Sequence, residues 1–286
     1  MVTNSRAILL ISCQDKPGIV AKLTTLLYMN GANIVSSDQY TTDPVNGMFF
    51  MRIEFDIPNI DEKLGDLEDK LDSLSKEVMF DWKLSLPNKV KRMAILVSKE
   101  DHCLLELLWQ WRSGDLPVEI PMIISNHENS RETAEQWGIP YHYLPVTKDN
   151  KSEVEKKQIE LLKGNVDFIV LARYMQILTP TFVEQFPNQI INIHHSFLPA
   201  FIGAKPYERA YQRGVKIIGA TAHYVNDQLD EGPIIEQDVQ RVTHNESAKE
   251  LKNIGKHIER IVLARAVKWH TEDRIIINEN KTVVFH

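Results

Sequence analysis

Gln189-Ile190-Ile191-Asn192-Ile193-His194-His195-Ser196 is an apolar run of strand length that turns polar at its carboxyl end. Residues two apart on a strand face the same side, so Asn192 and His194 are expected to point together, with Ile191 and Ile193 behind them. Similar runs recur around it: Met93 to Val97, Val118 to Ser125, Asn165 to Ala172 and Ile217 to Tyr224. Helical periodicity lies between them, near Leu104 to Trp111 and Ser130 to Trp137, and a long late helix carries Leu251, Ile254, Ile258, Ile261, Val262 and Arg265. Strands alternating with helices predict an α/β, Rossmann-like domain with a mostly parallel open sheet covered on both faces. Such sheets bind ligands beyond the carboxyl ends of their strands, which is where Asn192 and His194 fall. No Gly-x-Gly-x-x-Gly or phosphate-loop Lys pattern accompanies them, so neither a dinucleotide nor a nucleoside triphosphate is implied.

Ahead of this region the pattern differs. Ala7 to Cys13 reads as a strand, Pro17-Gly18 as a turn, and Ile19, Leu23, Leu26 and Leu27 as one face of a helix stopped by Asn30-Gly31. Ala32 to Thr41 and Met48 to Asp56 form a hairpin around Asp43-Pro44-Val45-Asn46-Gly47. Leu64, Leu67, Leu71 and Leu74 mark a second helix, and Met79 to Leu86 a last strand. The order βαββαβ is ferredoxin-like. Leu86-Pro87-Asn88-Lys89 is the polar break, giving a first domain over 1-86, a linker over 87-91 and a second domain over 92-286.

Composition narrows the ligands. The 39 acidic and 33 basic residues leave a net charge of −6, which offers no basic footprint for nucleic acid or an anionic membrane. No apolar run approaches the roughly 18 residues needed to span a bilayer. The two cysteines, Cys13 and Cys103, form neither a disulfide framework nor a zinc pattern and suit a reducing, cytoplasmic compartment.

A second polar segment follows the Ile217 to Tyr224 strand: Val225-Asn226-Asp227-Gln228-Leu229-Asp230-Glu231-Gly232-Pro233. Residue type alone does not say which of its carboxylates matters. A metal-dependent hydrolase would have to use His194, His195 and His223, but adjacent strand residues diverge and no His-Glu-x-x-His spacing occurs, so no metal is expected.

Two resemblances give these patterns a meaning. Asp15-Lys16-Pro17-Gly18-Ile19-Val20-Ala21, followed by Gly31-Ala32-Asn33-Ile34, resembles the ACT domain over roughly residues 5 to 86. That resemblance implies a small regulatory module binding an amino acid through Asp15, Gly18, Ile19 and Asn33, the helix start holding its carboxylate. It also implies self-association, as a homodimer or homotetramer. Asn192-Ile193-His194-His195-Ser196-Phe197-Leu198-Pro199, together with His223-Tyr224-Val225 through Leu229-Asp230-Glu231-Gly232-Pro233-Ile234-Ile235, strongly resembles the folate-dependent formyl transferase family. By position, the family's catalytic trio falls on Asn192, His194 and Asp230. Its folate pocket falls on 172–180 and Val183, with Tyr174, Met175, Gln176 and Leu178 named within it, and with His195 and Gly232 near the substrate.

Departures from the family pattern bear on the reaction. Relatives that formylate glycinamide ribonucleotide have a Gly-Ser-Asn loop after the first strand of this domain. Here that place reads Val97-Ser98-Lys99-Glu100-Asp101-His102-Cys103, whose carboxylates would repel a phosphate. A relative that formylates initiator tRNA carries an added basic domain, which has no counterpart in this acidic chain. Where the family commonly has Pro after the catalytic His, this chain has His195, as the hydrolytic branch does; as a strand neighbour of His194 it is expected to face roughly the other way. The resemblance therefore implies hydrolysis of 10-formyltetrahydrofolate to tetrahydrofolate and formate, supplying purine synthesis and balancing the one-carbon pool, with no cofactor. Formyl transfer to a small amine, or an amino-acid sensor without enzymatic activity, are the alternatives.

Overall fold

The computed structural model describes residues 4–43, 45–200 and 206–286. Pro44, in the expected hairpin turn, lies outside them. The chain divides into two compact units, one comprising residues 1–90 with 272–278 and 283–286, the other 91–271 with 279–282.

In the first unit, β1 (Asn4–Gln14), α1 (Ile19–Met29), β2 (Asn33–Thr41), β3 (Met48–Pro58), α2 (Ile60–Val78) and β4 (Phe80–Ser85) follow the expected βαββαβ order. The strands form an antiparallel sheet in the order β2-β3-β1-β4. Alternation along β1 sends Ala7, Leu9 and Ile11 into a core with Ile19, Leu23 and Leu27 of α1 and Leu67 and Leu71 of α2. Gly18 adopts φ 92°, a left-handed conformation suited to glycine at the entry to α1.

The other face of β1 and β3 is covered from an unexpected source. Ile8, Leu10 and Phe50 cluster with Ile276 and Phe285 from the carboxyl-terminal end of the chain. Arg52, also buried, donates from Nε to the Asp273 carbonyl at 2.9 Å and from Nη2 to that of Glu272 at 3.1 Å. Lys83 pairs with Asp273 at 2.8 Å. A second domain running unbroken over 92-286 is thus corrected: residues 272–278 and 283–286 belong with the first unit, and the break falls at Val90/Lys91. The reason is burial, because an uncovered Ile8/Leu10/Phe50 face would leave a large apolar patch in water.

The second unit contains β5 (Lys91–Val97), α3 (His102–Ser113), β6 (Val118–Glu119), β7 (Ile123–Ser125), α4 (Arg131–Gln136), β8 (Tyr141–Tyr143), α5 (Lys151–Leu162), β9 (Phe168–Ala172), α6 (Pro180–Val183), β10 (Ile190–His194), α7 (Pro206–Arg213), β11 (Ile217–Tyr224), β12 (Ile234–Arg241) and α8 (Ala248–Thr271). A hairpin of β13 (Ile275–Asn278) and β14 (Lys281–Val284) ends the chain. The expected single strand over Val118 to Ser125 is two short strands, both paired with β5. Pro121 lies between them and has no N–H for a ladder.

The central sheet runs β12-β11-β10-β9-β5-β7-β8 and is mixed α/β, mostly parallel, with β11 and β12 antiparallel. Ile190, Ile191 and Ile193 of β10 are buried, so the polar residues at its carboxyl end rest on a strand with little freedom to shift. Among the described residues no helix is long and apolar enough to cross a membrane.

Candidate active site

β10 and β11 pair in a register that sets Asn192 opposite His223 and His194 opposite Thr221. On the far side of β11 the register with β12 shifts at Ala222/His223, where Ile235 of β12 is left without an opposite residue. His223 Nδ1 donates to the Tyr224 carbonyl at 2.8 Å. On the other side of the ring, Asn192 Nδ2 lies 3.1 Å from His223 Nε2. The other amide hydrogen of Asn192 stays available.

Asp230 approaches from the loop between β11 and β12. Its carboxylate lies 3.1 Å from His194 Nδ1 and 3.7 Å from His223 Nε2. Burial pushes the Asp230 carboxyl up, but hydrogen bonding and charge from His194 and His223 outweigh it and hold the group well below the usual carboxylate range. The residue sits at φ 58°, a costly conformation for Asp that persists because the loop is held at both ends. Val225 N–H donates to the Ile190 carbonyl, and Tyr224 N–H to that of Pro233. Gly232 packs so closely on the Tyr224 carbonyl that any Cβ there would overlap it. Gly232 therefore shapes the loop and offers no side chain to a ligand.

His194 is 5% exposed. With Nδ1 on Asp230, its buried Nε2 has no partner among the described residues and is the ring atom left to meet a reacting group. The expectation that His195 faces away is corrected: its ring centroid lies 5.2 Å from that of His194. β10 ends at His194, so strict strand alternation stops there. Burial, followed by the positive charge of Arg173, pushes the His195 imidazole down to about 3, so the ring is neutral at working pH. The turn beyond is pinned: Thr221 Oγ1 donates to the Ser196 carbonyl and accepts from Leu198 N–H, and Gln237 Nε2 reaches both the Leu198 carbonyl and Thr221 Oγ1.

The depressed His195 value predicts a pH signature. The unfolded chain binds a proton at this ring below about pH 6.5, whereas the folded chain resists it down to about 3. His195 therefore costs stability as pH falls through that window, by up to about 1.4 kcal/mol per pH unit. Denaturant midpoints at pH 7.0, 5.5 and 4.5 should fall less steeply for His195→Asn than for the wild type, and parallel losses would contradict the assignment.

The segment after β9 is arranged differently from expectation. Tyr174 and Val183 belong to the core with Phe182 and Phe186, and Leu178 packs against it. The Tyr174 hydroxyl accepts from Gln158 Nε2 at 2.8 Å. Tyr174 and Val183 thus support the loop from behind, Val183 from α6 and Tyr174 from the turn beyond β9. Met175 is 55% exposed, and Gln176 is half-buried. The loop is anchored by Met175 N–H donating to Ser98 Oγ, which in turn donates to Asn126 Oδ1 at 2.6 Å. Thr179 donates from both N–H and Oγ1 to the buried Glu155 carboxylate.

Ser98 is thereby committed to internal bonds. Glu100, two residues on, bridges to Lys252 at 2.7 Å and to Lys256. Burial opposes ionisation there, but the two lysines hold the carboxyl at about 2. No phosphate subsite is assembled by these residues.

In the first unit, Ile19 is a core residue and Asn33 is exposed at the start of β2. Asp15 N–H donates to the Gly47 carbonyl. Of the residues that could hold a cation together, His102, Cys103 and Glu259 gather within 4.8 Å among the described residues, not the His194, His195 and His223 considered from sequence.

His223 is the residue whose part sequence reasoning missed. It stands in the quoted motif, but only the strand register shows that it lies against Asn192, with Asp230 3.7 Å away.

Comparisons with known proteins agree with this arrangement. Residues 91–267 match the Formyl transferase family model, and residues 7–72 match the ACT domain model. A protein of Bacillus subtilis named formyltetrahydrofolate deformylase is 61% identical, over 97% of this chain and 93% of its own. One of the same name from Synechocystis is 52% identical over 99% of each chain. The crystal structure of a formyltetrahydrofolate deformylase from Pseudomonas syringae superimposes with a TM-score of 0.93 at 41% identity, covering 99% of this chain and 95% of that one. On its residues, its fold and these likenesses, the chain belongs to the formyltetrahydrofolate deformylase family, an ACT domain joined to a formyl transferase domain.

Proposed function

We propose that this protein is a hydrolase that converts 10-formyltetrahydrofolate and water to tetrahydrofolate and formate. Full-length identity to proteins named for that reaction carries the reading. In the one-carbon economy it returns free folate and supplies formate for purine synthesis.

The side chains fit the chemistry. Water adds to the formyl carbon, the carbonyl oxygen becomes an oxyanion, and the C–N bond breaks as the folate nitrogen takes a proton. The free amide hydrogen of Asn192 and the Nε2 side of His194 are assigned to that oxyanion. Asp230 orients His194, favours its protonated form, and positions or deprotonates the water. No step is assigned to a metal or cofactor. Met175, Gln176 and Leu178 are assigned to the folate, with Tyr174 and Val183 bracing them, while His195 and the Gly232 turn border the reacting end. Transfer to a phosphorylated amine is disfavoured because Ser98 and Glu100 are already engaged internally.

An amino-acid effector at Asp15, Gly18, Ile19 and Asn33 is proposed to tune activity, its carboxylate held at the start of α1. Self-association as a homodimer or homotetramer is proposed through β2, an edge strand with Ile34, Val35 and Tyr40 exposed. The proposed compartment is the cytoplasm, and neither nucleic acid nor membrane is a proposed partner.

Formate should be released stoichiometrically with tetrahydrofolate from 10-formyltetrahydrofolate, with no acceptor added and after exhaustive chelation. Release that requires an added amine would replace this reading with a transferase; release abolished by chelation and restored by a metal would replace the side-chain mechanism.

A further inference from the structure

On the α3 and α8 side of the second unit, the chain buries an ionic group that the chemistry above does not use. Glu259 of α8 is 1% exposed. Its Oε1 accepts from the Tyr207 hydroxyl of α7 at 2.6 Å, and its Oε2 lies 2.7 Å from His102 Nε2 and 3.3 Å from Arg173 Nε. Arg173 is 8% exposed and sits at φ 63°, directly after β9. α8 makes room for the group at Gly255, where a Cβ would overlap the Tyr207 ring and hydroxyl.

Burying a carboxylate and a guanidinium is expensive unless they are paired and hydrogen-bonded, and one break in such a pair costs far more than the pair contributes. This group is therefore an arrangement with a specific geometry rather than a generic stabiliser. A metal site is a poor account of it. His102, Cys103 and Glu259 have suitable spacing, but the guanidinium of Arg173 already supplies the positive charge, and burial pushes the Cys103 thiol well up, away from the thiolate a metal needs.

Its position is informative. Arg173 follows β9 and His195 follows β10, neighbouring strands of the sheet, at their carboxyl ends. In an open α/β sheet that crevice is where a second substrate would lie. Here it is filled with the protein's own side chains, and the block reaches the reacting centre through tilted ring contacts, with Tyr207 6.1 Å from His195 and His195 5.2 Å from His194.

We propose that Glu259, Arg173, Tyr207 and His102 form a buried wedge that holds His195 beside His194 and closes the acceptor side of the formyl carbon, so that water reaches it and amines do not. Glu259, Arg173, Tyr207 and His102 are positioning residues acting through His195, and the group as a whole determines acceptor specificity. The inference rests on the hydrolytic reading. The neutral state of His195 supports it, because an uncharged ring can pack at this distance from His194 without opposing a proton there.

Partition of the formyl group between water and hydroxylamine, measured as formate against formohydroxamate in the full-length protein, tests the proposal. The wild type should give formate almost alone. His195→Ala and Tyr207→Ala should each raise the ratio of hydroxamate to formate by about tenfold or more, the scale on which one pocket group alters selection. Tyr207→Phe, which keeps the ring but removes the hydroxyl that Glu259 Oε1 accepts, should raise the ratio, though less than Tyr207→Ala does. His195→Ala is at a half-buried site and keeps the experiment decisive if Tyr207→Ala fails to fold. A lower total rate with an unchanged ratio in folded His195→Ala would overturn the wedge while leaving the hydrolase intact. Absence of formate from the wild type would instead overturn the hydrolytic reading.

Discussion

Asp230→Asn is expected to lower the rate of formate release by about 10³-fold, the middle of the range for a lost acid–base partner. The carboxylate accepts from His194 Nδ1 and thereby fixes which ring nitrogen faces the substrate. An amide has nearly the same shape but carries no charge, and it can present N–H as readily as C=O to the ring. His194 then loses both its preferred tautomer and the anion that stabilises its protonated form. The substitution isolates this effect, because Asn tolerates the left-handed φ of 58° at least as well as Asp. Single-turnover formate release, with an unfolding curve as control, measures it. A folded variant within threefold of the wild type would remove Asp230 from the mechanism.

Asn192→Ala is expected to reduce kcat by about 10²–10³-fold with little change in KM, the signature of a donor that acts on the developing oxyanion. A second effect comes from the partner left behind. His223 Nε2 is buried, and without the Asn192 amide it loses its 3.1 Å hydrogen bond, a loss that costs about 1–3 kcal/mol of stability. Both kinetics and denaturant midpoint should therefore fall. A large rise in KM at constant kcat would assign Asn192 to binding instead.

Much of this architecture was legible in residue order. Strand-length apolar runs separated by helical periodicity indicated the open sheet, and the abrupt change at Asn192 marked its working end. What stayed hidden depends on register and distance. The contact between Asn192 and His223 exists because two antiparallel strands place them opposite each other, and that register is not encoded by spacing. Arg173 and Glu259 are far apart in sequence and meet only after α8 has folded back. His195 misleads because alternation applies only while the strand lasts. For Tyr174 and Val183 residue type alone does not separate a ligand wall from core, since both use the same apolar side chains. Gly255 carried a signal, a glycine inside a long helix with no turn to justify it, but only Tyr207 explains it.

The carboxyl-terminal segment that covers Ile8, Leu10 and Phe50 makes the catalytic unit an insertion within the regulatory one. During synthesis the amino-terminal sheet leaves the ribosome first, yet Ile276 and Phe285 arrive only after residues 91–271 have been made. At translation rates of about 5–20 residues per second, the apolar face of β1 and β3 waits on the order of ten to forty seconds for its cover. A chain cut short before Ile276 would therefore carry a folded βαββαβ unit with one apolar face uncovered.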